Sequence, residues 1–170
     1  MSIRSATQKD SKVLTEISFS SKKHWGYPAE YFEIWKEELT ITGDYIRKNY
    51  VQIIETNGDA VGYYSVVELE KDLEITNFTM EKGVWLEHVF IRPEFIGKGF
   101  GKMLMQHLIE SSINNQWQEL KILADPHSVE FYKKLGAKYI KEITSNIPGR
   151  TVSYLEWAMS AAYLQPIMKK

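Results

Sequence analysis

Apolar positions along the chain change period several times, and each change marks an element. Ser2 to Thr7 alternates apolar and polar residues and predicts a short strand. From Gln8 to His24, Val13, Leu14 and Ile17 fall at helical spacing, with Asp10 or Ser11 as the cap. Gly26-Tyr27-Pro28 then breaks the chain. Residues 28–39 return to helical spacing through Tyr31, Phe32, Trp35 and Leu39, and Pro28 suits a first turn. Residues 50–56 and 60–70 read as two strands around Asn57-Gly58-Asp59, and Asn-Gly is a strong hairpin signal. Residues 73–80 predict a strand end or a short hairpin arm. Residues 82–93 predict a strand that Pro93 ends. A helix follows over 102–116, with Met103, Leu104, His107, Leu108 and Ile113 on one face. Residues 119–125 predict a strand. Residues 128–136 predict a short helix with Ser128 as cap and Gly136 as stop. Two closing strands, 137–144 and 151–159, complete an α/β order without internal repeats or linkers.

Composition narrows the class. A chain of 170 residues suits a single domain, residues 1–170, with a sizeable core. Aromatic residues are high at 13%; some belong to the core, and small-molecule pockets are also lined by such rings. Lys plus Arg number 21 against 22 Asp plus Glu, so charge offers no reason to expect nucleic-acid binding. The chain has no cysteine, which removes disulfides, thiolate nucleophiles and Cys-type metal sites. The four histidines show no metal-ligand spacing, so no metal is expected. The first ten residues are polar and no apolar run could span a bilayer, which predicts a cytoplasmic protein with no membrane partner.

The stretch Pro93 to Leu104, PEFIGKGFGKML, places three glycines directly before a helix. Glycine lets backbone approach a ligand closely. The first helical turn has N–H groups without internal partners, and its dipole favours anions. The combination predicts a phosphate site. Two common phosphate loops fail here. The Walker loop needs glycine at position 96 and Ser or Thr at 103, where Ile96 and Met103 stand. The dinucleotide fingerprint from Gly97 needs glycine at Lys102. A flexible loop without a ligand is the plain alternative.

A third pattern fits. The stretch VFIRPEFIGKGFGKMLMQHLI resembles the pyrophosphate loop of the GNAT superfamily of N-acetyltransferases, Q/R-x-x-G-x-G/A, with Gly99 and Gly101 as the two glycines. Ile96 departs from the family's Gln or Arg. Downstream, ILADPHSVEFYKKLGAKYIKE resembles the family's next strand, its Asn-Pro-like turn with Asp125 in place of Asn, and its F-Y-x-K-L-G helix. The resemblance covers residues 50–157 well. It implies a mixed, mostly antiparallel central sheet flanked by helices on both faces.

It also implies the activity: acetyl transfer from acetyl-CoA to a primary amine, by direct attack without an acyl-enzyme. Gly97, Lys98, Gly99, Phe100, Gly101 and Lys102 would hold pyrophosphate. The backbone of Val89, Phe90 and Ile91 would run along the pantetheine and polarise the thioester carbonyl. Asp125, Ser128, Phe131 and Tyr132 would complete the coenzyme side. Tyr132 matches the family tyrosine beside the sulfur, and a phenol with a pKa near 10 can donate to a thiolate; its plain role is core packing beside Phe131. The general base is Glu87 or His88. These neighbours point to opposite faces of the strand, and the plain alternatives are a solvated charge and a hydrogen-bonded core histidine. Trp25 and Tyr27 could stack on an acceptor or simply anchor the helices. Arg150 could bind an acceptor carboxylate or lie in a surface turn. The acceptor would be a small-molecule amine or a protein amine, and many relatives pair as homodimers. A coenzyme A-binding regulatory module without catalysis, and a nucleotide-binding switch, are the competing classes.

Overall fold

The computed structural model describes residues 1–75 and 77–159. Among the described residues there are nine strands, six α-helices and two short 3-10 turns at Gln8–Asp10 and Pro93–Phe95. β1 (Ser2–Ser5), β2 (Tyr50–Thr56), β3 (Asp59–Leu69), β6 (Gly83–Ile91), β7 (Glu119–Ala124), β8 (Lys138–Thr144) and β9 (Thr151–Ala158) form a sheet in the order β1-β2-β3-β6-β7-β9-β8. The pairs β1–β2, β2–β3, β7–β9 and β8–β9 are antiparallel. β6 and β7 are parallel, with Trp85 opposite Lys121 and Leu86 opposite Ile122. The helices are α1 (Ser11–Lys23), α2 (Ala29–Ile34), α3 (Lys36–Leu39), α4 (Gly43–Lys48), α5 (Phe100–Asn114) and α6 (Val129–Lys134). Among the described residues, no helix is long and apolar enough to cross a membrane.

Contacts group the chain into two compact units, residues 1–66 with 88–107, and residues 67–87 with 108 onward. In the first, Leu14, Ile17, Ile41, Ile46, Val51, Ile53 and Tyr63 form the core. The Asn57-Gly58 turn has φ of 53° and 86°, the left-handed pair that a two-residue hairpin needs. Arg4 ties the N-terminal strand down: its guanidinium meets Asp10 at 2.9 Å and Glu55 at 2.7 Å. The Arg4 hydrogen bonds hold the Asp10 carboxyl down at about 2. In the second unit, Trp85, Ile143 and Tyr154 pack with Phe78, Met80 and Leu123.

Three details correct the sequence reading. Residues 28–39 are two helices, because Trp35 leaves helical geometry at ψ 0°. Rings of Tyr27, Tyr31 and Phe32 grip the buried Trp35 indole at centroid distances of 5.1, 5.5 and 5.7 Å. Packing there overrides the helical run. The helix α4 was not anticipated; Thr42 caps it through a hydroxyl that accepts from the Tyr45 N–H at 3.0 Å. Finally, Ile113 is 48% exposed, and the buried stripe of α5 is Leu104, Met105, Leu108, Ile109 and Ser112. The region 73–80 is a hairpin of its own, β4 (Leu73–Ile75) with β5 (Phe78–Met80).

Candidate functional site

The glycine loop belongs to the first unit. Gly97 and Gly99 lie at φ 77° and 87°, left-handed values that disfavour other residues. A side chain built at either would meet nothing within 4 Å, so backbone angle rather than crowding selects glycine, and the loop faces open space. α5 starts at Phe100, two residues before the periodicity suggested. Met103 N–H donates to Gly99 O at 3.1 Å, but the amides of Gly99, Phe100, Gly101 and Lys102 donate to no group among the described residues. Four successive open amides at a helix start form an anion cradle. Lys98 leans over the Phe95 ring at 5.6 Å, and Phe95 meets Phe100 edge-on at 5.3 Å. Ile96, in place of a polar residue, is half-buried.

β6 reaches this loop through Val89, Phe90 and Ile91, all half-buried. Gly62 was missed by the sequence reading. A Cβ there would lie 2.4 Å from Ile91 Cδ1 and 2.7 Å from the Phe90 carbonyl oxygen. Only glycine lets β3 run so close to this part of β6.

His88 is 4% exposed and fully engaged. Its Nε2 lies 3.1 Å from the Glu38 carbonyl oxygen, which fixes the proton on Nε2. Nδ1 therefore accepts from Ser65 Oγ at 2.9 Å, and Tyr45 Oη, 3.2 Å from Nδ1, is hydrogen-bonded to Ser65 Oγ at 2.7 Å. The ring thus ties α3, α4, β3 and β6 together, and Tyr63 joins the same region through a 2.6 Å bond to Ser18. His88→Ala should destabilise the fold by about 2–4 kcal/mol, combining a cavity with abandoned buried partners. Urea unfolding would measure it; a loss below about 1 kcal/mol would mean the ring anchors nothing.

Trp25 is 41% exposed and meets His24 edge-on at 5.0 Å. Tyr27 is built into the ring cluster around Trp35, where the buried Lys22 ammonium sits 4.5 Å from the Trp35 ring and 5.5 Å from that of Tyr27.

The second unit holds the other residues singled out. Glu87 is exposed, directly after the buried Trp85 and Leu86. Tyr132 is 6% exposed in α6, edge-on to Phe131 at 5.3 Å. Its hydroxyl has no hydrogen-bond partner among the described residues. Burial first, and the Asp125 carboxylate second, push its phenol well above the ordinary value. Ser128 precedes α6, yet its hydroxyl donates back to the Asp125 carbonyl at 2.9 Å instead of capping a helix amide. Asp125 and Arg150, assigned to different ligands by the sequence, form a half-buried ion pair at 2.8 Å.

The sequence model of the acetyltransferase (GNAT) family matches residues 14–137, across both units. The chain belongs to that family. Among curated relatives of this GNAT chain is the uncharacterized N-acetyltransferase ycf52 of Gracilaria tenuistipitata var. liui, 44% identical over 48 residues. That match takes in 28% of this chain and 26% of the relative, so about a quarter of the relative's length is matched. Solved structures share the fold. A GCN5-related N-acetyltransferase from Rhodopseudomonas palustris superposes with TM-score 0.72 at 18% identity, over 92% of this chain and 94% of that one. The PaiA N-acetyltransferase of Thermoplasma acidophilum, solved with coenzyme A, gives 0.69 at 19% identity over 92% and 98%. The acetyltransferase yncA of Salmonella typhimurium, solved with acetyl-CoA, gives 0.65 at 19% identity over 94% of each chain. The GNAT fold is thus the mixed, mostly antiparallel sheet that the sequence resemblance implied.

Proposed function

We propose that the chain, as one domain over residues 1–170, transfers the acetyl group of acetyl-CoA to a primary amine on a small molecule or a protein. The four open amides from Gly99 to Lys102 carry this reading, because they suit a pyrophosphate better than any neutral group. Two family structures bound to coenzyme A or acetyl-CoA support it. Bound acetyl-CoA supplies an activated thioester carbonyl.

The residues then divide the work. Gly97 and Gly99 turn the loop so that its amides face the pyrophosphate, and Lys98 and Lys102 add positive charge. The backbone of Val89 to Ile91 lines the pantetheine arm, where an N–H polarises the carbonyl. Asp125, Ser128 and Phe131 shape the segment that carries Tyr132. Glu87 takes the proton from the acceptor ammonium. We prefer it to His88, whose lone pair already accepts a hydrogen bond and whose other nitrogen is held by Glu38. The amine N–C bond forms as the C–S bond breaks, and Tyr132 gives its proton to the leaving sulfur. Trp25, exposed at the end of the first helical segment, would stack on the acceptor, with Tyr27 in the nearby ring cluster around Trp35. A cytoplasmic setting and assembly as a homodimer belong to the same proposal, by analogy with the family.

Calorimetric titration with acetyl-CoA tests this reading, followed by thiol release in the presence of primary amines. Saturable binding at about 1 μM–1 mM, with no heat from ATP–magnesium or NAD, is the expected result. Binding without turnover on any amine would make the chain a regulatory coenzyme A module, and no binding would remove the assignment of the loop.

A further inference from the structure

A second cleft opens in the first unit, and its walls include none of the loop glycines. It measures about 530 Å³, room enough for a small metabolite. Its walls come from the start of the chain, the Asn57-Gly58 hairpin and the end of β6. Two arginines line it. Arg4 has nothing left to offer a ligand. Its Nε donates to Glu55, its Nη1 to Ser5 O and Asp10, and its Nη2 to Asp10.

Arg92 is different. Its main-chain N–H donates to Val61 O at 2.8 Å, and its Nε donates to Ala60 O at 2.8 Å. These bonds hold the half-buried side chain still, while neither Nη atom has a partner among the described residues. A guanidinium edge fixed in this way is a fork that suits two oxygens of a carboxylate. The other charged groups of the cleft are acidic. Asp59 and Glu94 are exposed and bonded to no described residue, and Glu55 keeps Oε2 open because Arg4 takes only Oε1. Val13, Val61 and Phe95 add apolar wall.

These groups narrow the ligand. The carboxylates disfavour a simple anion, and Arg92 disfavours a simple diamine. A carboxylate, an ammonium and a second cation on an aliphatic stem match all three elements. We propose that this cleft binds a free amino acid with a cationic side chain, its carboxylate on the Arg92 fork and its cationic groups among Asp59, Glu94 and Glu55.

The cleft shares Phe95 with the coenzyme loop. The Phe95 ring meets Phe100 edge-on at 5.3 Å, and the Phe95 carbonyl accepts from the Lys98 N–H at 3.3 Å. Arg92 and Glu94 flank Pro93 in the turn that carries Phe95. A ligand bridging them stiffens that turn and holds Phe100, the first residue of α5, ready for pyrophosphate. The bound amino acid is thus an activating effector. This role rests on the acetyl-transfer reading above, whereas the binding site itself does not.

Calorimetry without acetyl-CoA isolates the site. L-lysine, cadaverine (which lacks the carboxylate) and ε-aminocaproate (which lacks the α-ammonium) would be titrated into the wild-type chain, Arg92→Gln and Glu94→Gln. Melting curves would confirm folding, and Glu94→Gln, at an exposed position, carries the test should Arg92→Gln fail to fold. L-lysine should saturate with a dissociation constant below about 1 mM. Each truncated ligand should bind about 10-fold more weakly. Arg92→Gln should weaken L-lysine about 10-fold or more and leave cadaverine no weaker. Glu94→Gln should weaken both about 3-fold. No binding of L-lysine to the wild-type chain would overturn the site, as would an affinity for L-lysine that neither variant changes. Coenzyme A, which has no acetyl group to give, then reads the coupling. Saturating L-lysine should tighten it about 5-fold. Unchanged coenzyme A affinity would overturn the effector role and uphold the amino-acid site. A chain that binds L-lysine as described but no coenzyme A would overturn the acetyl-transfer reading and the effector role, not the site.

Discussion

Gly99→Asp should raise the dissociation constant for acetyl-CoA by about 100-fold or more, and change stability by only about 1 kcal/mol. The two effects separate because of what surrounds Gly99. Nothing lies within 4 Å of a Cβ at this position, so the new side chain meets no clash. The φ of 87° is left-handed, and aspartate is among the residues that tolerate this region best. The cost to folding is therefore limited to the backbone strain of a side chain at this angle, about 1 kcal/mol. Binding suffers twice. A carboxylate just before α5 can turn onto the amides of Gly101 and Lys102, as a capping residue does. It also sets a negative charge against the pyrophosphate. Each charge-assisted hydrogen bond lost is worth about 1.5–3 kcal/mol, so two are enough for the stated change. Calorimetry on the folded variant measures it, and unchanged affinity would place the pyrophosphate elsewhere.

Tyr132→Phe should lower kcat about 100-fold or more and leave acetyl-CoA affinity within about 2-fold, since general acid catalysis contributes at this scale. The ring is kept, and with it the edge-on contact with Phe131 at 5.3 Å. Only the hydroxyl is lost. That hydroxyl is bonded to no described residue, so its removal breaks no hydrogen bond and should not lower the melting temperature. The upward push on the phenol keeps it protonated throughout the neutral range, as a proton donor requires. Equal losses in kcat and affinity would instead assign Tyr132 to packing.

What the sequence discloses depends on how local each feature is. The glycine loop was legible because left-handed backbone at Gly97 and Gly99 leaves a mark in residue type. The Asn57-Gly58 hairpin was legible for the same reason. The start of α6 was readable from Ser128 and its stop from Gly136, although the Ser128 hydroxyl turned out to bond backward. Features that join distant segments left no such mark. His88 meets Ser65, Tyr45 and Glu38, which come from separate elements, and no spacing connects them. Gly62 looks like an ordinary strand glycine until Phe90 and Ile91 are placed beside it. Asp125 and Arg150 are 25 residues apart, and reading each alone gave each a ligand when they hold one another. Trp35 and Ile113 failed for a different reason. Helical spacing predicts a stripe, but the partners that bury one residue and leave another in solvent come from elsewhere in the fold.

β8, at one edge of the sheet among the described residues, has a further consequence for how the protein behaves in concentrated solution. An edge strand offers unpaired backbone groups to any passing chain, and the exposed Tyr139 and Ile140 side chains make this one sticky. The register with β9 slips between Tyr139 and Lys141. That single irregularity interrupts the straight row of N–H and C=O groups that sheet-to-sheet growth would copy. Flanking lysines at 138 and 141 add repulsion between like edges. The slip thus serves as a guard against runaway self-assembly, and a β8 straightened by deleting Ile140 would be expected to aggregate.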